Sequence, residues 1–342
     1  MLAGDLPAVA ALACADGAGA LEAIGLTVGR PVLPMLASTA ADVAEALSLT
    51  GEASVEWKLD GARVQVHRTG DVVRIWTRNL NEVTDRLPGI VELVRSFPVD
   101  AVVLDGEAIG VSEEVFQDLM SQFSSGGDRL VARFFDVLHV DGEDLLDRPL
   151  GDRLPVLDRV CGATAIPRIV TSDVEAATAF ADDALARGNE GVMVKALASP
   201  YEAGRRGGSW RKVKPVRTLD LVVLAVEWGS GRRQGWLSNL WLGARDDDGD
   251  GFVMVGKTFK GMTDELLAWQ TEQLLARETH RDGHVVHVRP EFVVELALDG
   301  VQRSTRYSGG VALRFARVKR YRDDKDPPDA DTITTVRSML PT

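Results

Sequence analysis

Glu56-Trp57-Lys58-Leu59-Asp60-Gly61-Ala62-Arg63 is the stretch on which the reading of this chain turns. Val55, Trp57 and Leu59 fall on one side of a period-two pattern, and Glu56, Lys58 and Asp60 on the other. Such alternation predicts a strand whose apolar face enters the core and whose lysine projects from the opposite face. Asp60-Gly61 is a tight-turn pair, and Arg63-Val64-Gln65-Val66-His67 alternates again. The expectation is a hairpin with an amine at its lip, a mount suited to a nucleophile. The competing reading is an exposed strand lysine beside an ordinary turn, and these eight residues alone do not separate the two.

At 342 residues the chain is long enough for two or three domains with real cores. Apolar content of 45% and charged content of 26% are those of a soluble globular protein. No apolar run reaches membrane-spanning length, and the N-terminus lacks the basic-then-apolar order of a signal peptide. Cys14 and Cys161 are too few for a disulfide framework or a cysteine zinc site, so a reducing, cytoplasmic setting is expected. The net charge of −12 argues against nucleic-acid binding when taken as a whole, but it is unevenly spread. Residues 1–57 hold seven acids against Arg30 alone, whereas residues 303–325 hold eight cations against Asp323 and Asp324. Arg205, Arg206, Arg211, Lys212, Lys214 and Arg217 form a second basic run. Local patches decide phosphate binding, so composition leaves a nucleic-acid partner open.

Elsewhere the pattern predicts a short helix over 39–47, a strand over 72–78, an amphipathic helix over 88–97 and a buried strand over 101–104. That last strand is expected to end in Asp105-Gly106-Glu107, where a carboxylate either caps a turn or meets a metal or a ribose hydroxyl. A helix and a Ser/Gly loop are expected next, then the strand Phe134-Phe135-Asp136-Val137-Leu138. Ser172 and Glu175 read as a capping box opening a helix that Gly188 closes. Lys212 and Lys214 alternate around Val213, so both project to one face and can neutralise a triphosphate. A hinge is expected over 215–220. Several short strands with one helix, over 263–277, then suit a small five-stranded barrel. Asp246 to Gly251 has the look of a calcium loop, but its twelfth position is Lys257 where glutamate is needed, so it reads as a polar hairpin turn. The end from Pro327 onward reads as flexible.

Lys58-x-Asp60-Gly61-x-Arg63 resembles the nucleotidyl-lysine motif of ATP-dependent DNA ligases and their relatives, the RNA ligases and messenger-RNA capping enzymes. Thr77-Arg78-Asn79, Leu104-Asp105-Gly106-Glu107, Phe135-Asp136 and the segment from Leu146 to Arg153 extend the resemblance. So do Glu190-Gly191-x-Met193-x-Lys195, the run from Tyr201 to Lys214, and Arg314-Phe315-Ala316-Arg317 with Arg322-x-Asp324-Lys325. Ala316 replaces the usual proline and Lys319 the usual apolar residue, which affects local backbone more than chemistry. The resemblance runs from about Pro31 to Lys325 in the family's motif order.

That resemblance implies an α+β fold: a nucleotidyltransferase catalytic domain of the DNA ligase and capping-enzyme type, followed by an all-β OB-fold domain. The implied divisions are 1–28, a remnant of or lead from a helical DNA-binding domain otherwise almost absent; 29–217, the adenylation domain; 218–326, the OB-fold; and 327–342, a tail. It implies ATP and Mg²⁺ as cofactors and nicked duplex DNA as substrate. Lys58 would attack the α-phosphate to form lysyl-AMP; AMP would pass to the 5′-phosphate, and the 3′-hydroxyl would displace it. Attack needs the free amine, which nearby cations and desolvation favour. By the same resemblance Glu56 meets the adenine amino group, and Phe135 stacks the base, a contact of about 1–3 kcal/mol in comparable cases. Arg63, Arg78 and Arg206 hold sugar and phosphates, and Glu107 and Glu190 meet Mg²⁺ or ribose. Lys195, Lys212 and Lys214 stabilise phosphate charge, and Arg317 helps orient pyrophosphate. A monomer is expected, with no membrane and with a helical DNA-binding module or clamp-like partner supplied in trans. The alternatives are an RNA ligase or another covalent nucleotidyltransferase, or a ligase-like nucleic-acid-binding protein.

Overall fold

The computed structural model describes residues 25–110, 130–249 and 251–340, with scattered positions between 9 and 19. The chain divides into two units, Met1–Pro215 and Val216–Thr342. In the first, the elements in order are β1 (Leu36–Thr39), α1 (Val43–Thr50), β2 (Ala53–Lys58), β3 (Ala62–Thr69), β4 (Val72–Thr77) and α2 (Pro88–Arg95). Then come β5 (Ala101–Gly110), β6 (Leu130–Val140), β7 (Glu143–Asp144), α3 (Leu150–Cys161), β8 (Arg168–Thr171), α4 (Val174–Ala186), β9 (Gly191–Ala196) and β10 (Arg206–Val213).

These strands build two sheets, in the orders β1-β10-β9-β2-β8 and β4-β3-β5-β6-β7. The expected hairpin is therefore corrected: β2 and β3 are both strands, but they belong to different sheets, and Asp60-Gly61 is where the chain crosses. The alternation fixed which side chains share a face; partners depend on distant segments, here β8 and β9 for β2 and β4 and β5 for β3. The crossing is tight: a Cβ on Gly61 would lie 2.5 Å from the Ala108 carbonyl oxygen of β5.

Three apolar clusters account for the layering. Val64, Val66, Leu104, Phe134 and Val137 pack under α2 and α3. Val55, Val192 and Val194 pack under α1 and α4. Val103 and Leu138 from one sheet meet Trp210 from the other, together with Val32, Met35 and Tyr201. The helices are set by local chemistry. Pro88 opens α2, whose Ile90, Val91 and Val94 are buried. Asp42 and Asp173 accept hydrogen bonds from the Glu45 and Glu175 amides at the starts of α1 and α4. The cap of α4 is thus Asp173, not the expected Ser172, and Gly188 follows its end at φ +83. A fully buried Arg153 on α3 clasps Asp136 of β6 through two bonds of 2.8 and 3.0 Å, which gives the segment from Leu146 to Arg153 its structural role.

Two further expectations shift. The helix placed over 39–47 starts at Val43, because β1 pairs in parallel with β10 through Thr39. The strand expected to end in Asp105-Gly106-Glu107 runs on to Gly110, so Asp105 and Glu107 stand within β5, on the face opposite Leu104. The helix and Ser/Gly loop expected before Phe134 fall in 111–129, outside the described residues.

In the second unit, β11 (Arg217–Trp228), β12 (Leu237–Arg245), β13 (Phe252–Thr258), α5 (Asp264–Leu275), β14 (Glu278–Asp282), β15 (Val285–Val288), β16 (Val293–Leu298), β17 (Gly300–Arg303), β18 (Val311–Arg314), β19 (Arg317–Tyr321) and α6 (Ile333–Ser338) follow. β11 pairs with β12 along one edge and with β15 and then β16 along the other, and β16 pairs with β19. Leu219, Leu221, Val223, Leu240, Val286 and Leu296 belong to the unit's main core, giving a β-rich OB-fold domain with more strands than the five expected. The residues expected as a hinge are already strand from Arg217 onward. The end beyond Pro327 is not loose: Ile333 and Val336 of α6 enter the core, and Thr332 bridges to Arg245. Two apolar residues three apart in 333–338 carry that burial, too short a run for a periodicity reading to register.

Candidate active site

Lys58 is the last residue of β2, directly opposite Gly191 of β9. The backbone N–H of Glu190 donates to the Lys58 carbonyl at 2.9 Å, and the Glu190 carboxylate forms an ion pair with the Lys58 ammonium. Both side chains stay accessible, at 24% and 20%. Glu107, on the facing sheet, is pushed up to about 7, mainly by burial; Lys58 and Arg63 pull it down, and Asp105 and Glu190 add to the rise. One amine and two carboxylates from two sheets thus share one electrostatic neighbourhood.

Gly191 has a positional reason. Its φ is +139, and a Cβ there would lie 2.2 Å from the Val213 carbonyl oxygen and 3.0 Å from Lys214 Cα. The missing side chain lets the end of β10 approach β9 beside Lys58, which brings Lys214 there. Lys212 sits opposite Met193, on the same face as Glu56 and Lys58.

Along that face, Glu56 and Lys195 are each 1% exposed and their charged atoms lie 2.6 Å apart. Ser54 Oγ donates to Glu56 at 2.9 Å, and Lys195 donates to the Phe135 carbonyl at 3.2 Å. Burial raises the Glu56 carboxyl, while Lys195 and Ser54 oppose the rise. The Lys195 ammonium lies 4.4 Å from the Phe135 ring centre and 4.3 Å from that of Trp210. Lys195 is therefore occupied with Glu56 beneath the aromatic pair, whereas the expectation put it on phosphate.

Arg63 is held from three directions. Asp105 accepts from its Nε at 2.9 Å and its Nη2 at 2.5 Å, and the Met35 carbonyl accepts from Nη1 at 2.6 Å. Its Cζ is 5.4 Å from the Phe135 ring centre. Its affinity for its proton is raised by Asp105, against burial as the largest, opposing effect.

The structure brings together Lys58, Glu56, Arg63, Glu107, Phe135, Glu190, Lys195, Lys212 and Lys214. Arg78 is exposed in the turn after β4; Thr77 pairs with Val64, so Arg78 is one step along from there, level with Arg63. Arg206 donates to the Ala37 carbonyl at 2.8 Å, which ties it to β1 and not to the Lys58 cluster. Arg317 opens β19 of the second unit, exposed and paired in register with Ala297. Sequence reasoning missed Ser54, Asp105, Tyr201 and Trp210 as site residues. The signal available for Ser54 was its place on the same face as Glu56 and Lys58; for Tyr201 and Trp210 it was their place in the Gly-rich basic run. A cavity of about 540 Å³ lined by Pro155, Asp158, Arg168 and Val170 contains none of these groups.

Comparison with known proteins follows the same division. The ATP dependent DNA ligase domain matches residues 34–214, and the ATP dependent DNA ligase C terminal region matches 233–325. A probable DNA ligase of Nocardioides sp. is 61% identical over 348 residues, covering 99% of this chain and 68% of that protein. One from Saccharopolyspora erythraea is 58% identical over 346 residues, with the same two coverages. The solved structure "Pmar-Lig_PreS3" superposes with a TM-score of 0.65 at 23% identity, covering 88% of this chain and 69% of its own, and so supports the fold.

Proposed function

The chain belongs to the ATP-dependent DNA ligase family, and from that premise we propose how its residues divide the reaction. As a ligase of this family it joins DNA at the expense of ATP, through a lysyl-AMP and then a DNA-adenylate intermediate. Lys58 is the nucleophile. Its ammonium sheds a proton, for which Glu190, already its ion-pair partner, is within reach. The amine attacks the α-phosphorus, a P–N bond forms, and the bond to the β-phosphate oxygen breaks to release pyrophosphate.

Lys212 and Lys214 face the charge that builds on the leaving phosphates. Phe135 offers its ring to the purine, with Glu56 meeting the exocyclic amine and Lys195 keeping that carboxylate placed. Arg63, and Arg78 level with it, serve the sugar and α-phosphate. Arg206 serves the nucleotide phosphates once its bond to the Ala37 carbonyl is released, and Arg317 helps orient pyrophosphate in the first step. Glu107 and Glu190 suit Mg²⁺: two convergent carboxylates are a donor set that this ion accepts when nucleotide phosphates and water complete its shell. Bound there, the ion would neutralise phosphate charge. The working form is a monomer on nicked duplex DNA in the cytoplasm, with a helical DNA-binding module or clamp-like partner acting in trans. No helix among the described residues is long and apolar enough to cross a membrane.

The observation that carries this assignment is the Lys58–Glu190 pair beside Glu107. Incubation with magnesium and ATP labelled at its α-phosphate should label the protein covalently, and Lys58→Ala should remove all label. Labelling that persists in the variant would overturn the choice of nucleophile. Comparing ATP with GTP as donor, and nicked DNA with nicked RNA as acceptor, tests the substrate pair.

A further inference from the structure

We propose that Tyr201 is a positioning residue for Arg63, acting through Asp105; the inference rests on the reading that Arg63 serves the nucleotide. The phenol is 2% exposed and donates to Asp105 Oδ2 at 2.7 Å. The same carboxylate oxygen receives Arg63 Nη2 at 2.5 Å, and Asp105 Oδ1 receives Arg63 Nε at 2.9 Å. The phenol oxygen in turn accepts the Met35 N–H at 3.1 Å and, more weakly, Arg63 Nη2 at 3.3 Å. Residues far apart in the chain therefore converge: Tyr201 from the run before β10, Asp105 from β5, Arg63 from β3 and Met35 from the segment before β1.

A guanidinium has five N–H groups in a fixed fork. Nε, both directions of Nη2 and one of Nη1 are engaged here, and the face of the fork lies toward Phe135. One Nη1 N–H is left over. The Tyr201–Asp105 pair fixes the plane of the fork, and with it the direction of that remaining donor. Asp105 is 0% exposed, so without the phenol its second oxygen has only Arg63 to satisfy it, and the fork can rotate to compensate. Tyr201 touches no reacting atom in this scheme; its effect on the nucleotide passes entirely through Arg63.

The test is a double-mutant cycle on the single-turnover rate of lysyl-AMP formation in the full chain, with magnesium and labelled ATP. Tyr201→Phe should slow adduct formation about tenfold, the loss of one well-placed hydrogen bond to a charged group. Arg63→Ala should slow it by roughly a hundredfold, and the double variant should be no slower than Arg63→Ala alone. A merely structural tyrosine would instead slow the double variant by a further tenfold, and that result overturns the proposal. An unchanged rate in Tyr201→Phe with a slow Arg63→Ala also overturns it. An unchanged rate in Arg63→Ala faults the underlying role of Arg63, a distinguishable failure. Should Tyr201→Phe not fold, Tyr201→Met in the same cycle carries the test, because it also removes the phenol while leaving Asp105 and Arg63 in place.

Discussion

Lys195→Met would remove the cation that restrains a buried carboxylate, and the structure says how much should follow. Both partners are 1% exposed, 2.6 Å apart, and the lysine stem already fills the space a methionine would take. Packing is therefore nearly conserved, and the cost is that of leaving Glu56 alone, about 3–5 kcal/mol for a broken buried pair. The cost depends on pH. Burial already raises Glu56 above its ordinary value of 4.5 in the folded state, and Lys195 is the largest influence opposing that rise. In the variant the folded carboxyl rises further, so the unfolded chain releases a proton that the folded chain keeps. The deficit is then small near pH 4.5 and grows as pH rises toward the new folded value, by up to about 1.4 kcal/mol per pH unit. Urea unfolding of the first unit, followed at pH 5.5 and pH 8, measures this. The double variant Glu56→Gln/Lys195→Met leaves no buried charge and should recover more than half of the loss at pH 8. A Lys195→Met protein within about 1 kcal/mol of the parent at pH 8 would refute the argument, as would a double variant equal to the sum of its singles.

Two other outcomes rest on different physics. Gly191→Ala places a Cβ 2.2 Å from a carbonyl oxygen, on backbone at φ +139, so β10 must move. Stability should fall by about 3 kcal/mol or more, and adduct formation by about a hundredfold, because a displacement near 1 Å beside Lys58 suffices for that. Normal labelling by this variant would mean that the approach of Lys214 is immaterial. His67 is 1% exposed and accepts the Gly29 N–H at 2.9 Å through Nδ1; its other nitrogen is 3.0 Å from Gln65 Oε1. Burial, with a smaller effect from His139, pushes it down to about 3. The unfolded chain takes up a proton below pH 6.5 and the folded chain does not, so stability falls as pH drops from 6.5 toward 3, by about 2 kcal/mol at pH 5. His67→Gln should flatten that slope in paired urea titrations at pH 7 and pH 5; an unchanged slope assigns it to other groups.

Much of the site was legible because its residues declare themselves locally. Lys58 at a strand end and the paired Lys212 and Lys214 follow from alternation over a few residues, and alternation reports the face on which a side chain lies. What it does not report is the group across the gap. Lys195 has the same local pattern whether it reaches a phosphate or a carboxylate. Its position beneath Phe135 follows from β9 lying between β2 and β10, which places Ser54 and Trp210 opposite it. Tyr201 was illegible for the same reason: it lies outside any strand, and all its significance comes from Asp105, 96 residues away.

The crossing at Asp60-Gly61 shows why that limit matters for chemistry. A hairpin would have placed Lys58 and Arg63 on neighbouring strands of one sheet, held by their shared ladder. Instead each is fixed by its own sheet, Lys58 by β9 and Arg63 by β5, and the carboxylates that meet them come from both. Movement of one sheet against the other would change the distance from the amine to Glu107 without breaking a strand pairing. The interface that resists such movement is the cluster of Val103, Leu138, Tyr201 and Trp210, with Met35 between. Nucleophile geometry and core packing between the sheets are therefore one problem: a cavity made at Leu138 or Trp210 should loosen Lys58 relative to Glu107 although it touches neither.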